Sequence, residues 1–198
     1  MKSKVSRLLV FAASVVLVVA LFAPLWHYNF VAPQYPEGLR LRIYANHIGG
    51  RVNLINELNH YVGMGDIREE RFPELRVIPW LVVGLFVSGL SVCLAGGLRA
   101  LIGWLGAFAV CALALLLDFY HWLYVYGHYL DPHAAIKIPP FTPYIVGRYS
   151  FLNFHIVAYP GIGGAAMIVS FLLGASALWL EWSALRRAPV KAGARLVA

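Results

Sequence analysis

Charge is scarce in this chain. Only 13% of its 198 residues are Asp, Glu, Lys or Arg, and nine of them are acidic. Cysteine is scarcer still. The two present, Cys93 and Cys111, both lie inside apolar runs, so the segments between those runs hold no disulfide framework and no thiolate metal site. They read as small packing residues. No GxGxxG turn, Walker loop, GxSxG elbow, HExxH pair or CxxCH haem attachment occurs. Nucleotide use, hydrolysis by those devices and covalent haem are therefore unsupported, and no nucleophile–base pair is apparent for catalysis by the chain alone. The formal charge of +7 comes from scattered basic residues without a nucleic-acid-binding motif. No internal repeat interrupts the sequence.

Apolar residues are plentiful: 61% of the chain, with a mean hydropathy of +0.71. Four long apolar runs, at about 8–26, 77–98, 100–124 and 160–181, approach or exceed the ~20 residues that cross ~30 Å of hydrocarbon as a helix. Stretches such as Leu81–Ala95 lack the amphipathic period of a soluble helix. The first run follows Lys2, Lys4 and Arg7 in the manner of a signal peptide. Its far end, Leu21-Phe22-Ala23-Pro24, lacks a small residue three before a cut and places Pro after it, so an uncleaved anchor is expected. The predicted class is an all-α membrane protein with four transmembrane helices, forming a single membrane domain over 1–198.

Lysine and arginine orient it. Lys2, Lys4, Arg7, Arg99, Arg186, Arg187, Lys191 and Arg195 are opposed only by Glu181. Another eight lie in 27–76 and 125–159, where acidic residues balance them. The unopposed set predicts both termini inside and a cytoplasmic basic tail over 182–198. The charge then reads as topology and anionic-lipid contact. Aromatic belts agree: Trp26, Tyr28, Trp80, Trp122 and Tyr124 outside, and Trp104, Trp179 and Trp182 inside.

The segments 27–76 and 125–159 are long for unstructured loops, and are expected to fold together as a small mixed α/β extracytoplasmic cap. Ala32–Gly38 reads as an extended turn, Leu39–Ile43 alternates as a short strand, and Gly49-Gly50 reads as a turn. Val52 to Met64 reads as an amphipathic helix, with Leu54, Leu58 and Tyr61 on its apolar side and Asn53, Asn56, Glu57, His60 and Met64 on its polar stripe. Pro132, Pro139, Pro140 and Pro143 punctuate the second segment. Small residues recur at interface spacing in two membrane runs: Gly84, Ser88, Ser91 and Ala95 in one, and Gly163, Met167, Ser170 and Gly174 in the other. Both faces are expected to pack closely against neighbouring helices.

All seven histidines fall in the two presumptive outer segments or at the helix ends feeding them. Asp118, His121 and His128 share one face if the third helix runs far enough. A carboxylate so placed either orients an imidazole toward a metal or pairs with a loop arginine. His60 and Met64, at i and i+4, are a copper-type ligand pair, because thioether sulfur favours Cu(I). His47, His133 and His155 are further possible ligands, and His121 with His155 is the plausible axial pair for a non-covalent haem b. His27, beside Trp26, reads as an interfacial residue.

Ala32-Pro-Gln-Tyr-Pro-Glu-Gly38 with Asn53-Leu-Ile-Asn-Glu-Leu-Asn-His-Tyr-Val-Gly-Met64 is one recognisable stretch. Tyr126-Gly-His-Tyr-Leu-Asp-Pro132, Ala135-Ile-Lys-Ile-Pro139, Leu152-Asn-Phe154 and Tyr159-Pro-Gly-Ile-Gly-Gly164 make a second. Together, over roughly residues 20–165, they resemble a little-characterised family of small polytopic bacterial membrane proteins associated with gene clusters for nitrous-oxide reductase maturation and copper handling. The resemblance implies a bacterial inner-membrane location and a role near a periplasmic copper enzyme. The positions matching its motif are His60, Met64 and His128. The expected function is thus an accessory protein with an outer copper site of His60, Met64, His121 and His128, oriented by Asp118, that helps mature a periplasmic metalloenzyme. The alternatives are an electron-transfer subunit binding haem b or quinol at the outer leaflet, with Asp118 in proton release, and a scaffold that binds a membrane or periplasmic partner through segments 32–36 and 139–144.

Overall fold

The computed structural model describes residues 3–187. Four helices are long and apolar enough to cross a bilayer, and we read the chain as a multi-pass membrane protein. Helix α1 (Lys4–Leu17) starts on the Ser3 hydroxyl and continues as a 3-10 turn to Leu21. Helix α3 spans Glu74–Ala95 and ends on Gly96 in the left-handed conformation that glycine adopts without strain. Helix α4 spans Leu98–His128, and α5 spans Ile162–Arg187. The expected boundaries shift by several residues, because the polar ends of these helices continue the turn without adding hydropathy. The expected tail from 182 is helical as far as Arg187. Lys2, Lys191 and Arg195 lie outside the described residues.

The first run is shorter than expected. After Leu21 the chain turns at Pro24 and enters strand β1 (Trp26–Ala32). Strands β2 (Tyr35–Ile43) and β3 (Ile48–Gly50) follow, and then helix α2 (Val52–Tyr61). Between α4 and α5 lie β4 (Gly147–Phe151) and β5 (Phe154–Pro160). One antiparallel five-stranded sheet results, in the order β3-β2-β1-β5-β4. Several local expectations are corrected here. The turn at 32–38 tightens to Pro33-Gln34, β2 takes in Tyr35–Gly38, and Gly49-Gly50 belongs to a strand. Nor is the sheet a separate cap set between helices. It joins the C-terminal ends of α1 and α4 and leads straight into α5.

Two cores form. One lies among the helices, built from Val10, Leu17, Val82, Leu101, Trp104 and Phe108. The other lies under the sheet, where Tyr28, Leu39, Leu41 and Ile156 meet Ile55 of α2 and Phe119 and Leu123 of α4. Trp104 is buried, and its indole N–H donates to the Leu85 carbonyl at 2.9 Å. It is a core residue, not part of an inner aromatic belt, because its one polar group is satisfied inside the bundle. Its slot is cut by two glycines, Gly89 and Gly174. On the small face of α5, Gly163, Ser170 and Gly174 are buried as expected while Met167 is half-buried, and Ser170 donates to the Ala13 carbonyl of α1. The small face of α3 is not: Gly84, Ser88, Ser91 and Ala95 are all exposed, and the glycine that admits a neighbour is Gly89, on the other side.

The contrast can be measured. A Cβ at Gly174 would lie 2.6 Å from the Trp104 ring and 2.9 Å from Leu105, whereas Gly84 faces open space. Gly174→Leu is expected to lower stability by about 1–3 kcal/mol through overpacking. Gly84→Leu should change it by less than about 0.5 kcal/mol. Thermal melts of both variants in one detergent check this.

Candidate functional site

Helix α4 determines the site. Its buried residues are Leu101, Trp104, Leu105 and Phe108 near the start and Gly127 near the end, with none between. Along that stretch the helix stands away from its neighbours and borders a cavity of ≈ 870 Å³. Ala112, Leu115, Phe119 and Leu123 form the α4 wall. Leu75 and Ile78 of α3, Gly164 and Met167 of α5, Ile55 and Leu58 of α2, and Tyr28 and Phe30 of β1 complete it. Leu116 of α4 and Ile168 of α5 also line the cavity while 45% and 52% exposed. They share the exposed rim of the cavity with Tyr61, Ile136, Val146 and Leu152.

The wall is almost wholly apolar, and most of its polar groups are already engaged. The Tyr28 hydroxyl donates to the Tyr144 carbonyl, Tyr126 to Asp66 and the Trp26 indole to Ile145. Asn59 binds Gly65, and Gln34 accepts from Asn153. Besides the hydroxyls of Tyr35, Tyr61 and Tyr149, two carboxyls remain, Glu74 at the start of α3 and Asp118 on α4, both lining the cavity. They lie within reach of a shared hydrogen bond, and the Trp122 indole reaches Glu74. Phe72, Trp122 and Tyr126 form an aromatic cluster around them, with Phe72 edge-on to Trp122 at 4.7 Å between centroids.

Asp118 therefore lies beside Glu74, and among the described residues it makes no ion pair with a loop arginine. Glu74 was not among the sequence candidates, because an acidic residue in the first turn of a helix is already explained by the helix dipole. Only its position relative to Asp118, 44 residues on, gives it a second role.

The histidines are spread out. Helix α4 does run through His128, so Asp118, His121 and His128 share one continuous helix. Asp118 lines the cavity, while neither His121 nor His128 does. His121 is exposed and within electrostatic reach of Asp118. His128 stacks on Tyr124 at 3.8 Å between ring centroids, and its Nδ1 lies 3.0 Å from the Tyr124 carbonyl. His60 and Met64 do not share a helical face. Helix α2 ends at Tyr61 instead of Met64, Gly63 reverses the chain at φ +77°, and the Met64 N–H closes onto the Asn59 carbonyl. Met64 then lines the cavity, and His60 does not. His155 sits on β5 with its Nδ1 2.9 Å from the Ser150 hydroxyl, and His47 stacks on Tyr44. Among the described residues, no three His, Cys, Asp or Glu side chains gather as a metal site would need.

The two inter-helix segments do meet. The Asp131 N–H donates to the Gly63 carbonyl at 2.8 Å, and the Ile136 N–H to Tyr61 at 2.9 Å. This brings His60 near Asp131, whose carboxylate also takes the His133 N–H at 2.8 Å. That backbone bond, ahead of both imidazoles, holds the Asp131 carboxyl below its ordinary range.

No protein-family model matches the chain, and no curated protein matches it.

His27 sits half-buried on β1, opposite Arg42. Burial holds its pKa below the ordinary value, and Arg42 and Arg40 add to the effect. An imidazole depressed in the folded state takes its proton first in the unfolded chain as pH falls. Its contribution is complete above about pH 6.5 and is lost on going lower. The melting temperature should fall from pH 7 to pH 5 by less in His27→Gln than in the unaltered protein.

Proposed function

We propose that this protein binds a long-chain amphipathic molecule of quinol type in the cleft beside α4. One observation carries the reading: a largely apolar cavity of ≈ 870 Å³ is bordered by three of the long apolar helices and holds two carboxyls, Glu74 and Asp118, in its wall. Cavities of this size and lining suit small lipophilic ligands oriented by a few polar groups. A hydroxyl head would donate to Asp118 or Glu74 and lie against Phe72 and Trp122. An apolar tail would leave past Leu116 and Ile168 into the bilayer. In the same proposal the sheet end faces the extracytoplasmic side of a bacterial inner membrane and both termini face the cytoplasm, on the strength of the unopposed basic residues. Haem b on His121 and His155 draws no support from position, since neither ring lines the cleft.

A second reading keeps the resemblance: an accessory protein for copper loading of a periplasmic enzyme such as nitrous-oxide reductase. What favours it is that His60 and His133 both flank Asp131 where the two segments join. His60 and Met64 do not make a chelate as they stand, so copper binding would require the turn at Gly63 between them to rearrange. Metal analysis of tag-free protein grown with copper decides this reading: about one copper per chain supports it, and none removes it.

The first reading is tested by titrating purified protein with a short-tailed quinol and following tryptophan fluorescence. Glu74→Gln/Asp118→Asn should weaken binding about tenfold, the loss of a charge-assisted hydrogen bond. Met167→Trp, which fills the cavity, should weaken it too. Retention of full affinity by both variants would sink the proposal.

A further inference from the structure

The outer face of the sheet carries charge of one sign. Register and alternation place Arg42, His27 and Tyr159 in one cross-strand row, and Arg40, Asn29, Val157 and Arg148 in the next. No Asp or Glu stands in either row. Among the described residues none of these three arginines has an ion-pair partner, and the Arg42 Nε is buried without a hydrogen bond. The nearby acids are engaged elsewhere. Glu37 holds Arg51 at 2.8 Å, Asp66 holds Arg68 at 2.7 Å, and Glu69 accepts from the Ile48 N–H. The opposite face of the sheet is covered by α2 and α4, so the basic face is the free one.

Its height is set by the helices. Arg99 sits at the start of α4, near the far surface of the bilayer. At ~1.5 Å per residue the 31 residues of α4 extend ~46 Å, well beyond ~30 Å of hydrocarbon. The excess therefore emerges at the sheet end. Phe119 and Leu123 in that last part pack on the inner face of the sheet, so the strands stand beside it. The row of Arg42, His27 and Tyr159 lies nearest the membrane, since β1 follows the first span directly and Tyr159 closely precedes α5. The row of Arg40 and Arg148 stands ~7 Å farther out. Both rows fall within the headgroup layer.

We propose that this face binds the phosphate-bearing headgroups of anionic phospholipids in the leaflet at the sheet end. Guanidinium forks match phosphate oxygens in pairs, and the half-buried Arg42 and the exposed Arg40 each present one on this face. Arg40 takes a second oxygen or a neighbouring lipid. An acidic protein segment would fit the same charge, but this face stands where lipid headgroups are.

The test is native mass spectrometry of the full chain with phosphatidylglycerol and phosphatidylcholine of equal chain length. Basic residues at the far end also hold anionic lipid, so the readout is the change caused by R40Q/R42Q relative to R51Q, whose arginine is already paired. R40Q/R42Q should lower the preference for phosphatidylglycerol about fivefold or more, and R51Q should leave it unaltered. Should the double variant melt early, R148Q serves as a second variant and should give a smaller loss. The proposal is overturned by an unchanged preference in folded R40Q/R42Q and R148Q. It is equally overturned if inorganic phosphate alone, or soluble polyglutamate, binds this face as strongly as the lipid does.

Discussion

The pairing of β1 with β5 is the interaction on which the rest of the molecule depends. It runs from Trp26↔Pro160 to Val31↔His155 and then continues past the sheet, as the Gly161 N–H donates to Leu25 and the Gly163 N–H to Pro24. The exit of α1 and the entry of α5 are thereby joined by a nearly unbroken ladder of backbone bonds. In a bilayer such groups have no water to fall back on, so a ladder at the membrane edge serves two needs at once. The closeness demands glycine. A Cβ at Gly161, Gly163 or Gly164 would run into the carbonyl oxygens of Ala23, Pro24 or Leu25. The sequence Gly161-Ile-Gly-Gly164 is the imprint of that approach.

With α1 and α5 tied at both ends of their packing, α4 is left as the loose member. It is anchored at the far end by Trp104 between Gly89 and Gly174, and at the sheet end by Phe119 and Leu123 under Tyr28 and Leu41. Between these anchors nothing is thick enough to fill the space beside it. The cleft is thus the space left beside α4 between these two contacts. Glu74 and Asp118 sit near its sheet-side end, where the cost of a carboxyl is lower than at the bilayer centre.

The membrane spans were legible because hydropathy is additive along a helix and needs no partner. The sheet was much less so. In β1 the order Trp-His-Tyr-Asn-Phe-Val-Ala alternates only once its neighbours are known, and beside an apolar run it extends that run by eye to residue 26. Strands β4 and β5 are bounded by Gly147 and Pro160 in a segment whose prolines point to a fixed path and not to pairing. The continuity of α4 through Gly127 was similarly hidden. The glycine is there for space, since the Phe141 carbonyl presses on it, and not for a break. The small face of α3 was misread because spacing identifies a smooth face without saying whether anything lies on it. Of the candidate site, Asp118 was visible as a lone acid in an apolar run, whereas Glu74 needed the third dimension.

Charge offers the same lesson with a physical consequence. Along the sequence, the eight basic residues of the two inter-helix segments look neutralised by their acidic neighbours. Folding undoes that balance by sorting it. Acids gather on the β3 edge, the chain before α3 and the turn at Asp131, where Arg51, Arg68, the Ile48 N–H and the His133 N–H engage them. Arg40, Arg42 and Arg148 are left together on the one uncovered face. Screening at physiological salt acts over about 8 Å, so charges separated this way no longer cancel. A segment that is neutral on paper thus presents a basic surface on one side and an acidic fringe on the other. The basic side and the cleft lie on opposite faces of the same sheet, so a headgroup held on the one and an apolar tail in the other would approach the molecule from different sides.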